Sequence, residues 1–365
     1  MTTRDNIYYW KCDRPSAFFA IAEDNSDNNI ADTEKDVSNL LIEYYGDDNF
    51  HVTPAGGQGN HITYLVKRAG KRYFLRLENG PENDDYMEVE SAIIKQVNNL
   101  GVPVPSIYAV DASRRKYAFA WQIMEYIDYP DLNKIFKSGE LDSASIMHET
   151  GSYIAKWQDF TPEGYGPYNA EILRTEGRLQ GLLPTYRDYY MLNMEKHLTF
   201  LVQHGFLEKE MACDITKAVD SNSDYMDIPR GCLVHKDLAL WNILGTENKI
   251  KAVIDWDDAI SGDPTDDLSL MGCFHSGAEI NALIRGYQSI KPLPESFMPR
   301  FWLHLMRNML FKSVIRVGAG YFRKNDSFFL INSESGGGQS LRDFTLNRIM
   351  LAYEGITGNR DIEEL

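Results

Sequence analysis

Two short segments of the sequence carry side chains suited to phosphoryl transfer. The first is His235-Lys236-Asp237, with Asn242 five residues after the aspartate. Moving a phosphoryl group onto an alcohol needs a carboxylate at the acceptor hydroxyl and oxygen ligands for a magnesium ion. A short rigid loop with an Asp and an Asn at this spacing can supply both. The spacing also arises by chance, and the alternative is a surface loop in which Asp237 caps a helix.

The second segment places Asp255 at the end of the apolar run 250–254. A charge there is costly unless it binds something, and Mg²⁺ is the natural occupant of such an oxygen site. We expect 250–254 to pair with the apolar run 232–234 as short strands on either side of the loop. That pairing would bring Asp237, Asn242 and Asp255 together, and the combination is far rarer by chance than either segment alone.

The elements that must position these residues follow from the apolar pattern. Up to residue 127 we predict a helix, a hairpin of strands around 62–66 and 73–77, a second helix over 88–100, and further strands. Beyond residue 127 the spacing is mainly helical. The fold class is therefore α+β, with a smaller unit, 1–127, of antiparallel sheet plus helix and a larger, mainly helical unit, 128–365.

The segment 233–244 (LVHKDLALWNIL) resembles the catalytic loop of the aminoglycoside phosphotransferase and choline kinase superfamily. Residues 253–259 (VIDWDDA) and the Gly-Asp-Pro at 262–264 extend this resemblance, which spans roughly 52–270. It implies a bilobal protein-kinase-like fold and phosphorylation of a small-molecule hydroxyl, with ATP and Mg²⁺ as cofactors.

The resemblance also implies a role for each motif residue. Asp237 would be the catalytic base, or orienter, for the acceptor hydroxyl. Asn242 and Asp255 would ligate Mg²⁺, and His235 would support the loop.

Weaker matches in the N-terminal half fit a nucleotide site. Gly57, Gly59 and Asn60 lie between two predicted strands and would bring backbone N–H groups onto phosphates. A plain hairpin turn is the alternative. The carbonyl of Glu125 and the N–H of Ile127 would meet the adenine edge, unless this segment is only a buried strand end.

Arg76 occupies the place of the phosphate-binding lysine, within an apolar strand. The alternative is a strand charge that points to solvent. Glu90 resembles the helix glutamate that pairs with that base, with Glu88 as the competitor and a solvent-exposed glutamate as the further alternative. We favour Glu90 because of its register with the apolar face of the helix.

Composition limits the partners. With 37 basic and 53 acidic residues the chain has a formal charge of −16, which argues against nucleic acid and anionic lipid as partners. The same charge weakly favours a cationic or polyhydroxylated small-molecule alcohol. Four scattered cysteines without a C-x-x-C pair, an N-terminus unlike a signal peptide, and no long apolar run predict a cytoplasmic protein. The acceptor and the oligomeric state are left open.

Two other functions fit the sequence less well. A protein kinase is disfavoured because Gly262-Asp263-Pro264 follows Asp255 within eight residues, which leaves no space for a long activation segment. A catalytically silent kinase-like binding protein is disfavoured because Asp237, Asn242 and Asp255 are all present. Further along the chain, the glycine-rich stretch 332–340 predicts a flexible loop.

Overall fold

The computed structural model describes residues 30–55, 61–79, 85–325, 328, 330, 337–358 and 360–365. The strands are β1 (His51–Pro54), β2 (Ile62–Arg68), β3 (Lys71–Glu78), β4 (Ile107–Asp111), β5 (Ala120–Glu125), β6 (Tyr165–Tyr168), β7 (Gly181–Leu183), β8 (Cys232–Val234), β9 (Ile243–Thr246), β10 (Lys249–Val253) and β11 (Ile260–Gly262). The helices are α1 (Ile30–Tyr45), α2 (Tyr86–Asn99), α3 (Leu132–Lys137), α4 (Ser143–Trp157), α5 (Ala170–Glu176), α6 (Tyr186–Met191), α7 (Met194–Gln203), α8 (Lys209–Ser221), α9 (Asp266–Met271), α10 (Gly277–Gln288), α11 (Phe297–Gly318) and α12 (Gly337–Thr357).

Strands β1 to β5 form an antiparallel sheet in the order β1-β2-β3-β5-β4, and the predicted hairpin is the β2–β3 pair. Side chains alternate between the two faces of a strand. In β3, Leu75 and Leu77 therefore share one face, where they pack in a cluster with Leu40 of α1. Arg76 and Glu78 lie on the opposite face and are also buried. The second face of the sheet thus contains two buried charged side chains, Arg76 and Glu78.

Helix α2 connects this sheet to the rest of the molecule. Its apolar residues Val89, Ile93 and Val97 belong to the large core formed mainly by later helices. The hydroxyl of Tyr86 donates to the carbonyl of Ala259 at 3.2 Å, just beyond the second motif. Helix α2 is therefore fixed against the segment that carries Asp255.

After β5 the chain is mainly helical, which confirms the α+β class. The predicted pairing of 232–234 with 250–254 is wrong. Strand β10 pairs with β9 in a tight hairpin, and β8 pairs with β11. Because β9 is joined to β10 by a two-residue turn, it is the nearer partner. The two motifs are still joined, since the N–H of Ile254 donates to the carbonyl of Asn242 at 2.9 Å.

The predicted division into 1–127 and 128–365 falls between the end of β5 and the start of α3. It stays a prediction. None of the helices in the described ranges is long and apolar enough to cross a membrane.

The prediction of a flexible loop over 332–340 is wrong at its end, because Gly337 begins helix α12. Residues 331–336 lie outside the described part of the chain. Gly338 donates its N–H to the carbonyl of Lys324, and a Cβ at this position would lie 2.2 Å from the carbonyl oxygen of Phe322. The glycine therefore permits a close backbone approach rather than flexibility.

Helices α4 and α10 pack unusually closely through two glycines. A Cβ on Gly151 would lie 1.9 Å from the carbonyl oxygen of Leu283, and one on Gly286 would lie 1.9 Å from that of His148. Helix α4 ends at Trp157, whose indole Nε1 donates to Asp267, the residue that accepts backbone N–H groups of the loop after β8. The close crossing therefore helps to set the position of that loop.

We predict that Gly151→Ala destabilises the fold. Ala gains about 1 kcal/mol of helix propensity over Gly, but the clash must be relieved by separating two packed helices, which typically costs about 1–3 kcal/mol or more. Thermal unfolding should show a lower midpoint for Gly151→Ala and little change for the neighbouring control Ser152→Ala. A Gly151→Ala variant as stable as the control would contradict the packing described here.

Candidate active site

The carboxylate of Asp267 fixes the loop that follows β8. Its two oxygens accept the backbone N–H groups of His235 at 2.8 Å and Lys236 at 3.0 Å. The indole Nε1 of Trp157 donates to the same carboxylate at 3.2 Å. Asp267 is fully buried, and this burial raises its pKa in spite of His235 and the two backbone bonds. Asp267, in the first turn of α9, thus fixes the backbone of the loop at His235 and Lys236.

The imidazole of His235 ties the two motifs together. Its Nε2 lies 3.0 Å from the carbonyl oxygen of Ile254, and its Nδ1 lies 3.3 Å from the backbone N of Asp237. A neutral ring with its proton on Nε2 satisfies both contacts, donating to the carbonyl and accepting from the amide. Burial lowers the pKa of His235, which agrees with the neutral form. His235 therefore links the backbone of Ile254 to that of Asp237, and its role in the reaction stays a prediction.

Lys236 adopts a left-handed backbone conformation, with φ of 70°. Such a conformation costs a residue other than glycine about 1–3 kcal/mol and persists only where its surroundings impose it. Its ammonium is buried between both oxygens of Asp266, at 2.9 and 2.8 Å, and Oδ1 of Asn308, at 2.7 Å. Although burial opposes ionisation, the ammonium of Lys236 lowers the pKa of Asp266. Lys236 is thus an anchor for the turn that presents Asp237.

Asp237 and Asn242 face each other across the loop. The amide nitrogen of Asn242 donates to the carbonyl of Asp237 at 2.8 Å and to its Oδ2 at 3.1 Å. The amide oxygen of Asn242 is therefore turned away from the Asp237 carboxylate. The other carboxylate oxygen, Oδ1, lies 3.4 Å from the ammonium of Lys312 on α11. The Asp237 side chain is 20% exposed, so a substrate can reach it.

Asp255 follows β10 in a left-handed conformation, with φ of 66°. Arg76 of the first sheet approaches it, with Nη2 at 3.7 Å from the Asp255 carboxylate. The Nη1 of Arg76 donates to both oxygens of Glu90, at 2.7 and 3.0 Å. Burial opposes the charge on Arg76, but Glu90, Asp255 and Asp257 together raise its pKa above the ordinary value. The partner of Arg76 is Glu90 on α2 and not Glu88.

Of the other five predicted nucleotide-binding residues, the structure describes Glu125 and Ile127. Gly57, Gly59 and Asn60 lie outside the described residues. Glu125 ends β5, and its side chain accepts from the backbone N and the hydroxyl of Ser106 at 3.1 and 3.0 Å. Ile127 follows two residues later. The roles of all five residues stay predictions.

Three residues near the site were not foreseen from the sequence. His61, just before β2, has its Nε2 3.7 Å from Oδ2 of Asp257, and burial lowers the pKa of His61. Asp257 had a partial signal, because it follows Asp255 by two residues in the second motif. His61 and Lys312 had none, since a lone histidine and a lysine far along a helix match no motif.

The segment after Asp255 is anchored by buried polar contacts. Burial opposes ionisation of Asp263, but His304 at 3.2 Å and Arg300 at 2.7 Å lower its pKa to about 2. Gln158 donates to the carbonyl of Pro264 at 2.8 Å and accepts from the hydroxyl of Tyr287 at 2.8 Å. These contacts fix the chain between the second motif and α9.

The donor set suits a hard divalent cation and phosphate. The amide oxygen of Asn242 and the carboxylate of Asp255 are the oxygen ligands that Mg²⁺ prefers. Within the described part of the chain the Nη2 of Arg76 is buried without a hydrogen-bond partner, and a guanidinium matches the geometry of phosphate oxygens. Asp237 lies beside these groups as an accessible carboxylate. The arrangement can hold a metal–phosphate group next to a base.

Comparisons with known proteins cover most of the chain. Residues 51–299, well over half of the chain, match the model of the phosphotransferase enzyme family (APH). A search by sequence finds no match among curated proteins.

Solved structures with a similar fold include a thermostable mutant of aminoglycoside phosphotransferase APH(4)-Ia, with TM-score 0.54, 16% identity, and coverage of 88% of this chain and 97% of that one. A candidate fructosamine-3-kinase from Haemophilus somnus 129PT gives TM-score 0.55, 17% identity, and coverage of 86% and 96%. Spectinomycin phosphotransferase APH(9)-Ia, solved with ADP and spectinomycin, gives TM-score 0.51, 16% identity, and coverage of 91% and 98%. At this identity the likeness establishes the shared protein-kinase-like fold.

We predict that Asp267→Asn destabilises the protein by about 2–3 kcal/mol, because hydrogen bonds to a charged group are lost and an NH₂ group is turned toward a backbone donor. Urea unfolding is the measurement. Asp220→Asn, at an exposed position on α8, is the matched control and should change little. Equal effects of the two substitutions would mean that Asp267 does not hold the loop.

A second prediction concerns Arg76 and Glu90. Arg76→Met leaves the Glu90 carboxylate buried without its cation, which typically costs about 3–5 kcal/mol. The double variant Arg76→Met/Glu90→Leu removes both charges and should recover most of that loss in urea unfolding. Additive losses in the double variant would argue against a direct ion pair.

Proposed function

The chain belongs to the phosphotransferase enzyme family, and we propose that it transfers the γ-phosphoryl group of ATP to a hydroxyl group of a small molecule. The observation that carries this proposal is the meeting of Asp237, Asn242 and Asp255 at one place through His235 and Ile254. The pair Arg76–Glu90 reaches the same place from the first sheet. Each part has a distinct use in phosphoryl transfer.

Asp237 acts on the acceptor. In the proposed reaction its carboxylate orients the acceptor hydroxyl and takes the hydroxyl proton as the oxygen bonds to the γ-phosphorus. The bond from that phosphorus to the bridging oxygen of the β-phosphate breaks, and ADP leaves with the electron pair. Because the backbone N–H of Asp237 is held by His235 and its Oδ2 by Asn242, the carboxylate is oriented before substrate arrives.

The nucleotide is held by groups from both sides of the site. Asn242 and Asp255 would ligate Mg²⁺, which neutralises phosphate charge when bound. Arg76 would bind phosphate oxygens through Nη2, while Glu90 keeps its guanidinium in place. The roles of Gly57, Gly59 and Asn60 at the phosphates, and of Glu125 and Ile127 at adenine, belong to the same proposal.

The position of Lys312 limits which acceptor molecules the site can bind. Its ammonium lies 3.4 Å from the Asp237 carboxylate, where the acceptor hydroxyl must arrive. A substrate cation at this place would gain little net attraction, because repulsion by the ammonium offsets attraction by the Asp237 carboxylate at a similar distance. We therefore propose a polyhydroxylated acceptor with no positive charge next to the reacting hydroxyl. Cationic groups farther away, as favoured by the chain's net charge, remain compatible with this arrangement.

A protein kinase is a poorer fit to the structure. The chain after Asp255 forms the turn Trp256–Asp258, then β11, and then α9 from Asp266, so residues 255–271 are fully used by these elements. No long segment is left there to bind a polypeptide substrate. The cytoplasmic location expected from composition stays a prediction.

The test is a screen for ADP release with sugars, amino-alcohols and aminoglycosides, followed by Asp237→Asn. We expect the variant to lower kcat by about 10²–10⁴-fold, because the general base is lost, while ATP affinity by calorimetry changes little. Asp220→Asn is the control and should keep full activity. Failure of the wild-type protein to bind ATP and to phosphorylate any acceptor, or full activity of Asp237→Asn, would refute the proposed function.

A further inference from the structure

His61 brings an imidazole from the first sheet to the carboxylates that follow β10. Its Nε2 lies 3.7 Å from the Asp257 carboxylate. One ligand atom from each of His61, Asp255 and Asp257 lies within 4.8 Å of the other two. Ligand atoms bonded to one metal at about 2.0–2.2 Å are separated by roughly 3–4 Å. A small inward movement of these side chains would therefore close them on a single ion.

The imidazole of His61 has no hydrogen bond that explains its position. Its side chain is only 10% exposed, and neither Nδ1 nor Nε2 has a hydrogen-bond partner among the residues that the structure describes. Buried polar groups are normally paired, because an unpaired one costs about 1–3 kcal/mol. The contact with Asp257 is too long to be a hydrogen bond. The ring is thus a buried nitrogen donor directed at two carboxylates.

Charge also favours a cation at this point. Arg76, the neighbouring cation, donates Nη1 to both oxygens of Glu90 and brings Nη2 to 3.7 Å from Asp255, so its single charge offsets only part of the negative charge of the three carboxylates. The carboxylates of Asp255 and Asp257 then bring two negative charges to the place where His61 brings a nitrogen. The Asp255 side chain is 32% exposed, so an ion can enter from solvent. Two carboxylates and one imidazole match a divalent ion in charge and in ligand type.

We propose that His61, Asp255 and Asp257 together bind a divalent transition-metal ion such as Mn²⁺ in preference to Mg²⁺. Mg²⁺ takes oxygen ligands, whereas an imidazole nitrogen shifts affinity toward transition metals. The inference rests on the proposed function only in that this ion would lie beside the nucleotide phosphates. Binding of the ion itself needs no nucleotide. Because His61 precedes β2 and Asp255 follows β10, the ion also joins the first sheet to the catalytic loop.

The experiment titrates Mn²⁺ into the purified full-length protein without nucleotide. Electron paramagnetic resonance follows the loss of free Mn²⁺, and electron spin echo modulation detects a directly bonded imidazole nitrogen. We expect ¹⁴N coupling in the wild-type protein, replaced by ¹⁵N coupling after labelling with ¹⁵N-histidine. His61→Gln should lose the coupling and bind Mn²⁺ at least about tenfold more weakly, with a smaller change for Mg²⁺. His51→Gln, at an exposed position on β1, should change neither quantity.

Bound Mn²⁺ without histidine coupling in the wild-type protein would overturn the proposal, and this result needs no variant to fold. Unchanged Mn²⁺ affinity in His61→Gln, with weakened ATP affinity, would also overturn it and would place His61 on the phosphates. A phosphotransfer assay with Mg²⁺ separates the two claims. Activity without histidine coupling refutes this metal site alone, whereas coupling without phosphotransfer to any acceptor refutes the proposed function alone.

Discussion

The buried carboxylate of Asp267 is the group on which the geometry of the site depends. It accepts the backbone N–H groups of His235 and Lys236, and these two bonds fix where the chain turns after β8. From this point His235 reaches the carbonyl of Ile254 and the amide of Asp237. One carboxylate thus determines the relative position of both acidic motifs. Its own position comes from α9 and from Trp157 at the end of the closely packed helix α4.

The site contains strained backbone conformations and buried charges, and each buried charge has a specific partner. Lys236 and Asp255 both have positive φ, which a non-glycine residue adopts at a cost. The ammonium of Lys236 is buried but meets Asp266 and Asn308, and the guanidinium of Arg76 is buried but meets Glu90. Buried ion pairs contribute little net stability and are costly to break. Their use here is orientation, because they hold Asp237 and Asp255 in fixed conformations before any substrate binds.

The sequence predicted the family and the α+β class, because its two motifs combine fixed spacing with a strong change from apolar to charged residues. The functional roles of the motif residues stay predictions. The helical register of the apolar residues favoured Glu90 over Glu88 as the partner of Arg76, and the structure pairs Glu90 with Arg76. Strand pairing was predicted wrongly, since short apolar runs such as 232–234 do not reveal which neighbour they meet. His61 and Lys312 could not be found, because they reach the site from distant elements and only the tertiary fold places them there. The loop prediction for 332–340 is wrong at Gly338, because the sequence alone does not distinguish a glycine needed for close packing from a glycine in a flexible loop.

The central claim is that the loop from His235 to Asn242 and the strand end at Asp255 hold a metal–nucleotide complex against Asp237. A crystal structure with Mn²⁺ and a non-hydrolysable ATP analogue tests it most directly, because anomalous scattering locates the metal. The account predicts metal bonds of about 2.0–2.3 Å to the Asn242 amide oxygen and the Asp255 carboxylate, with the γ-phosphate facing the Asp237 carboxylate. The absence of any metal bonded to both Asn242 and Asp255, even with a second ion at His61, or a γ-phosphate directed away from Asp237, would contradict it.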